Sequence, residues 1–154
     1  MPEKLLATRP AKDSDFQYVW DVYREAVKAH IGPKLKGGWV DSVEVEKFRK
    51  TWKAGDSHIV LMDSIPIGWS GVVASEKEVR IEHLYIEPQH RGKGYGTRLV
   101  SEMTKRWTNE GKAVYAPVLR EKRLVTAISR LGFSAQGGAD DHPLVQTLVY
   151  DKNT

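Results

Sequence analysis

Apolar residues in this chain follow two periods. Phe16, Val19, Trp20, Tyr23, Ala26, Val27 and His30 recur every three or four positions, which predicts an amphipathic helix capped by Asp13 or Ser14. Ahead of it, Lys4 to Thr8 is a candidate first strand closed by Pro10. The stretch Ile31 to Val40, with Pro33, Gly37 and Gly38, interrupts the pattern. A second helix is predicted over Val43 to Ala54, with Val45, Phe48 and Trp52 on one face and Gly55 at its end. Ser57 to Met62 then reads as a strand, Asp63-Ser64 as a turn, and Ile65 to Ser75 as a further strand containing Gly68 and Gly71.

After a turn at Glu76-Lys77, the stretch from Glu78 to Trp107 organises the rest. Val79, Ile81 and Tyr85 alternate with polar residues, and Leu84 and Ile86 then break the alternation. That pattern predicts a strand with a register change, because one inserted residue turns every later side chain to the other face. Pro88 stops the strand, since proline has no N–H to donate. From Tyr95 the period becomes helical, with Leu99, Val100, Met103 and Trp107 on one stripe. Gly111 ends that helix and Ala113 to Leu119 is another strand. A last helix spans Lys122 to Leu131 on Leu124, Val125, Ile128 and Leu131, with Gly132 as its terminal glycine. Ala135 to Gly138 and Leu144 to Tyr150 form a closing hairpin around the polar loop Ala139 to His142. The order β-α-α-β-β-β-α-β-α-β-β predicts one mixed α/β domain over residues 1–154. Its central sheet is mostly antiparallel and is flanked by about four helices.

Composition narrows the chemistry. A chain of 154 residues suits one core, and the absence of cysteine removes disulfides, thiolate metal sites and a cysteine nucleophile. The histidines His30, His58, His83, His90 and His142 form no close pair, so no metal is expected. No apolar run reaches the roughly 20 residues of a membrane span, and no signal-peptide core opens the chain. A cytoplasmic protein with no membrane partner is the expectation. The net charge of +4 and pI near 9.2 suit an anionic ligand, a solvated surface or loose nucleic-acid contact.

Between the central strand and its helix lie Gly92, Gly94 and Gly96, with Arg91 and Lys93 among them. Glycines permit tight turns and close approach, and the open N–H groups of a helix start attract anions. Strand, glycine-rich bend and helix start together make a candidate diphosphate site. It is not a Walker loop, because Gly92-Lys93 is followed by Gly94 instead of Ser or Thr. It is not the dinucleotide fingerprint either, whose third glycine would fall at Thr97. Arg91-Gly92-Lys93-Gly94-Tyr95-Gly96 resembles the coenzyme A pyrophosphate loop of the GNAT superfamily of N-acetyltransferases. The setting matches as well: an apolar-x-apolar-x-Pro strand end at Leu84 to Pro88, the loop, then a long helix. Leu131-Gly132-Phe133 after the last helix resembles the superfamily's second signature, and the element order matches along the whole chain.

The resemblance implies transfer of an acetyl group from acetyl-CoA to an amine by direct attack on the thioester. It assigns the diphosphate to Arg91, Gly92, Lys93, Gly94, Tyr95, Gly96 and Thr97. The pantetheine arm falls to the splayed strand end Leu84, Tyr85 and Ile86, where a main-chain N–H can polarise the thioester carbonyl. Glu82 and His83 are the candidate general bases that take the amine's proton. Acceptor selection falls to the connector His30 to Asp41, with His30 and Trp39 foremost, and to Ala139 to Pro143. The acceptor is a small-molecule or peptide amine, and the protein a monomer or homodimer. One departure stands out: many relatives carry a proton-donating Tyr where this chain has Ile128, and Glu121-Lys122-Arg123 replaces their usual Asn. Two other readings follow from the residues. One is a catalytically silent acetyl-CoA binder, motivated by Ile128. The other is a nucleic-acid binder, motivated by Arg80, Arg91, Lys93, Arg98, Lys105 and Arg106; Glu102, Glu110 and the lack of a nucleic-acid motif argue against it.

Overall fold

The computed structural model describes residues 5–135 and 145–151. The elements are β1 (Leu6–Pro10), α1 (Phe16–Ile31), α2 (Asp41–Thr51), β2 (Ser57–Met62), β3 (Ile65–Ala74), β4 (Glu78–Ile86), α3 (Tyr95–Asn109), β5 (Ala113–Leu119), α4 (Lys122–Ser129), β6 (Phe133–Ala135) and β7 (Val145–Tyr150). This is the predicted order. The seven strands form one sheet in the order β1-β2-β3-β4-β5-β7-β6. The β1–β2, β5–β7 and β6–β7 pairs are antiparallel and the β4–β5 pair is parallel. By contact density the chain divides into two compact units, with breaks within β3 between Ser70 and Gly71, within β4 between Leu84 and Tyr85, and between His90 and Arg91.

The first unit holds the described residues up to Ser70 together with Tyr85–His90. Its core joins Val19, Trp20 and Val22 of α1 to Phe48 of α2, Ile59 of β2 and Trp69 of β3. Aromatic rings dominate it: Tyr23 lies 4.5 Å from Phe48, and Trp69 lies 5.7 Å from Tyr85. The spacing of three and four along α1 places Phe16, Val19, Trp20 and Tyr23 on one stripe. Gly68 sits where two backbones meet, since a Cβ there would fall 2.1 Å from the Tyr85 carbonyl oxygen. The β2–β3 turn is made by Asp63 and Ser64 at φ 51° and 69°. It also fastens the chain start, because the Leu5 N–H donates to Asp63 Oδ1 at 2.8 Å and the Asp63 N–H donates to the Leu5 carbonyl at 2.9 Å.

The second unit holds Gly71–Leu84 and the described residues from Arg91 onward. Its core packs Ile81, Val114, Ala116, Phe133 and Leu148 of the sheet against Val100 of α3, with Leu84, Met103, Trp107, Val125 and Ile128 around them. The α3 stripe predicted from spacing is therefore the packed one, and of the predicted α4 stripe Val125, Ile128 and Leu131 pack while Leu124 is exposed.

Several boundaries differ from expectation for physical reasons. Pro10 does not close β1 but belongs to it, paired with His58, and an edge strand tolerates a residue without an N–H. Neither Asp13 nor Ser14 caps α1. Asp15 secures the helix entry instead: its carboxylate accepts the Lys12 N–H at 2.9 Å and both terminal nitrogens of Arg9, at 2.9 and 3.0 Å. That fork holds the Asp15 carboxyl below the usual carboxylate range, Arg9 being the main cause. The second helix starts at Asp41 and stops at Thr51, because Trp52 turns extended and sets its ring edge-on against Phe16 at 5.7 Å. The strand at Phe133–Ala135 starts before the predicted Ala135, and Phe133 pairs with Tyr150. Gln136 to Gly138 and the loop assigned to acceptor selection, Ala139 to Pro143, lie outside the described residues.

Candidate active site

The β4 strand carries the predicted register change. In a regular strand, residues three apart face opposite sides, yet Ile81 and Leu84 pack in the same cluster. One extra residue must lie between them, at Glu82-His83. Tyr85 accordingly turns the other way, into the aromatic core of the first unit. The parallel ladder with β5 is short: Glu78, Val79 and Arg80 pair with Ala113, Val114 and Tyr115, while both strands run on beyond Arg80 and Tyr115. The ladder with β5 thus ends at Arg80, ahead of the stretch Leu84 to Ile86 where a splayed end is expected.

A short 3-10 turn at Pro88–His90 leads into the glycine bend. Gly92 and Gly94 have φ of 77° and 82°, so both need the left-handed conformation that glycine adopts without strain. A Cβ on Gly92 would meet nothing within 4 Å, and one on Gly94 only Thr97 Oγ1 at 3.9 Å. Gly94 is the residue that starts α3. The first helical bond runs from the Arg98 N–H to the Gly94 carbonyl at 3.0 Å, and Thr97 Oγ1 donates to the same oxygen at 3.1 Å. The N–H groups of Tyr95, Gly96 and Thr97 therefore lie at the open, positive end of the helix. Gly96 belongs to that first helical turn, not to the bend. Arg91, Gly92, Lys93 and Gly94 are exposed. An exposed bend with two left-handed glycines, a helix start and two cations fits a diphosphate.

The candidate bases differ in setting. Glu82 is half-buried and accepts from Arg80 Nε at 3.2 Å. Arg80 in turn faces the Tyr115 ring, its Cζ 6.0 Å from the centroid. Burial pushes the His83 imidazole below its usual range, with the Glu82 carboxylate opposing. Ile86 is buried. Burial pushes the Tyr85 phenol up, and the same holds for Tyr18, where a hydrogen bond to Glu87 adds to it. The Tyr18 hydroxyl donates to Glu87 Oε2 at 2.7 Å, and the Glu87 N–H donates to the Ile67 carbonyl at 2.7 Å, which fixes the end of β4.

The sequence reading left Tyr18 and Tyr115 unnamed and placed Arg80 only among surface cations, without its partner Glu82. Arg80 and Glu82 stand two apart on a strand, a spacing that puts opposite charges on one face and was there to be read. Of the two acceptor candidates, Trp39 stacks on Trp20 at 6.2 Å and donates to Asp41 Oδ1 at 2.6 Å, so its indole latches the connector to the core. His30 Nε2 is buried without a hydrogen-bond partner among the described residues. Ile128 packs in the core of the second unit. An open pocket of about 390 Å³ at Ser129 to Ser134 shares no residue with the glycine bend. Among the described residues no three of His, Asp and Glu stand close enough to hold a metal ion, and no helix is long and apolar enough to cross a membrane.

Residues 25–141 match the family described as the acetyltransferase (GNAT) domain. The chain belongs to the GNAT family. Solved structures with the GNAT fold match along nearly its whole length. The PaiA N-acetyltransferase of Thermoplasma acidophilum, solved in complex with coenzyme A, is 16% identical with a TM-score of 0.68, covering 96% of this chain and 99% of that one. An acetyltransferase of Thermus thermophilus is 16% identical with a TM-score of 0.70, covering 94% and 95%. The N-acetylglutamate synthase of Neisseria gonorrhoeae, solved with coenzyme A and L-arginine, is 17% identical with a TM-score of 0.64, covering 96% of this chain and 33% of that one. No curated protein sequence matches the chain.

Proposed function

We propose that this GNAT chain is an N-acetyltransferase that moves an acetyl group from acetyl-CoA to a primary amine by direct attack within a ternary complex. The observation that carries the reading is the continuous run from the end of the β4–β5 ladder, through left-handed Gly92 and Gly94, to the open N-terminus of α3. Arg91, Lys93 and the amides from Gly92 to Thr97 would hold the diphosphate. Leu84, Tyr85 and Ile86 would run beside the pantetheine arm, which carries amides able to pair as a strand does. Bound acetyl-CoA would supply the electrophilic thioester carbonyl. A β4 main-chain N–H aimed at that oxygen is worth on the order of 10²–10³ in rate.

Glu82 or His83 takes the proton of the attacking amine, directly or through water, a contribution of roughly 10²–10⁴. The lowered basicity of His83 keeps its imidazole neutral, and so able to accept, down to a lower pH than an exposed histidine. Cleavage of the C–S bond releases a thiolate. Ile128 offers it no proton, so solvent supplies one, which a thiol of pKa about 8.5 tolerates. That hydrocarbon position favours one second reading, an acetyl-CoA binder with little turnover. Calorimetry with acetyl-CoA followed by a thiol-release screen of amines separates the two: binding with release supports transfer, and binding without release supports the silent module. Gly94→Asp, which puts a carboxylate and a strained φ at the helix start, abolishes acetyl-CoA binding while circular dichroism stays unchanged. Retained binding by that variant would remove the loop from the site.

A further inference from the structure

We propose that Arg80 binds a carboxylate on the amine acceptor, so that the acceptor is an amino acid or another amine with a carboxylate close to its nitrogen. The inference rests on the acetyltransferase reading and names the substrate class of that site. Arg80 and Glu82 project from one face of β4, with Arg80 Nε 3.2 Å from Glu82 Oε1. Arg80 is also the last β4 residue paired with β5, so the two charges stand where the strands part. Nε is committed to Glu82, and the guanidinium lies near the Tyr115 ring, 6.0 Å from Cζ to centroid. The two terminal nitrogens make no hydrogen bond to the described residues, and the side chain is 38% exposed. A guanidinium with its paired terminal donors unused presents the planar fork that matches a carboxylate.

A stability role does not account for the pair, because an ion pair exposed to this degree contributes little to folding. Recognition does. One positive and one negative group a hydrogen bond apart mirror the ammonium and carboxylate of an amino acid: Glu82 receives the nitrogen and its proton, and Arg80 receives the carboxylate. A peptide N-terminus or a lysine side chain within a protein lacks the carboxylate at that distance.

The test compares L-amino acids with their α-carboxamides and with the corresponding decarboxylated amines, at saturating acetyl-CoA. The expected result is kcat/KM about 10- to 100-fold higher for the free acid than for its amide, the scale of one charge-assisted hydrogen-bonded contact. Arg80→Gln brings the acid down to the level of the amide, and Arg80→Lys, a point charge without the fork, recovers part of the difference. Equal rates for acid and amide overturn the proposal. So does a loss in Arg80→Gln that acid and amide share equally with a displaced pH profile, which would make Arg80 a positioning residue for Glu82. Calorimetric titration of the same amino acids into the acetyl-CoA-bound protein provides a readout independent of turnover: heat that needs the carboxylate and vanishes in Arg80→Gln supports the assignment, and no such heat refutes it. A chain that binds acetyl-CoA and acetylates only amines without a carboxylate refutes the carboxylate assignment alone. A chain that binds no acetyl-CoA refutes the transferase reading. Melting curves confirm that both variants fold.

Discussion

Gly68 and Gly94 are glycines for opposite reasons. At Gly94 the backbone is left-handed and the space beside it is nearly open, so the spacing of glycines in the sequence was enough to locate the bend. At Gly68 nothing in the sequence announces the 2.1 Å approach to the Tyr85 carbonyl, because that neighbour is distant along the chain. Gly68→Ala is expected to destabilise the fold by about 1–3 kcal/mol, since backbone must move to admit a methyl group; urea denaturation measures it. His83 supplies a second test at this scale. Burial lowers its pKa from 6.5 in the folded chain, so the unfolded chain takes up the proton first on acidification. Above that ordinary value the group costs nothing. Below it, stability falls by up to about 1.4 kcal/mol per pH unit until the folded pKa is reached. The melting temperature of His83→Gln should lack that part of the decline. The base candidates could be named from sequence, but the Arg80–Glu82 contact could not, because the alternation identifies a face and not a bond.

Element identities were legible and element ends were not. Periodicity placed α1 and α3 on their packed stripes and α4 on its own apart from the exposed Leu124, since the same apolar spacing that marks a helix also buries it. The ends depend on single contacts between side chains far apart in sequence or on one carboxylate: Trp52 leaving α2 to meet Phe16, and Asp15 taking the Lys12 N–H and the Arg9 fork. The β2–β3 turn offers a stabilising change. Asp63 and Ser64 both hold positive φ, the geometry of a type I′ turn whose second central position favours glycine. Ser64→Gly should raise stability by roughly 1 kcal/mol by relieving left-handed strain, visible as a higher midpoint in denaturant. Asp63 must stay, because its carboxylate and N–H both hold Leu5.

For the molecule as a whole, the order of elements and the family were readable from one loop, one helix terminus and the succession of strands. The aromatic weighting of one core and the mainly aliphatic make-up of the other, around Phe133, were not, because a sequence records which residues are apolar and not which of them meet. If the glycine bend holds acetyl-CoA, the ligand binds the folded chain alone and the melting temperature rises with its concentration, by about 2.7 kcal/mol of added stability at a hundredfold excess over Kd. Gly94→Asp should melt at the same temperature with or without it. The extra residue at Glu82-His83 has a further bearing on how this chain can change in length. Because β4 is out of step with itself by one position, adding or removing a single residue there would send Leu84, Tyr85 and Ile86 each to the wrong side. Gains or losses in twos would keep the phase, so lineages that vary in this stretch are expected to differ by even numbers.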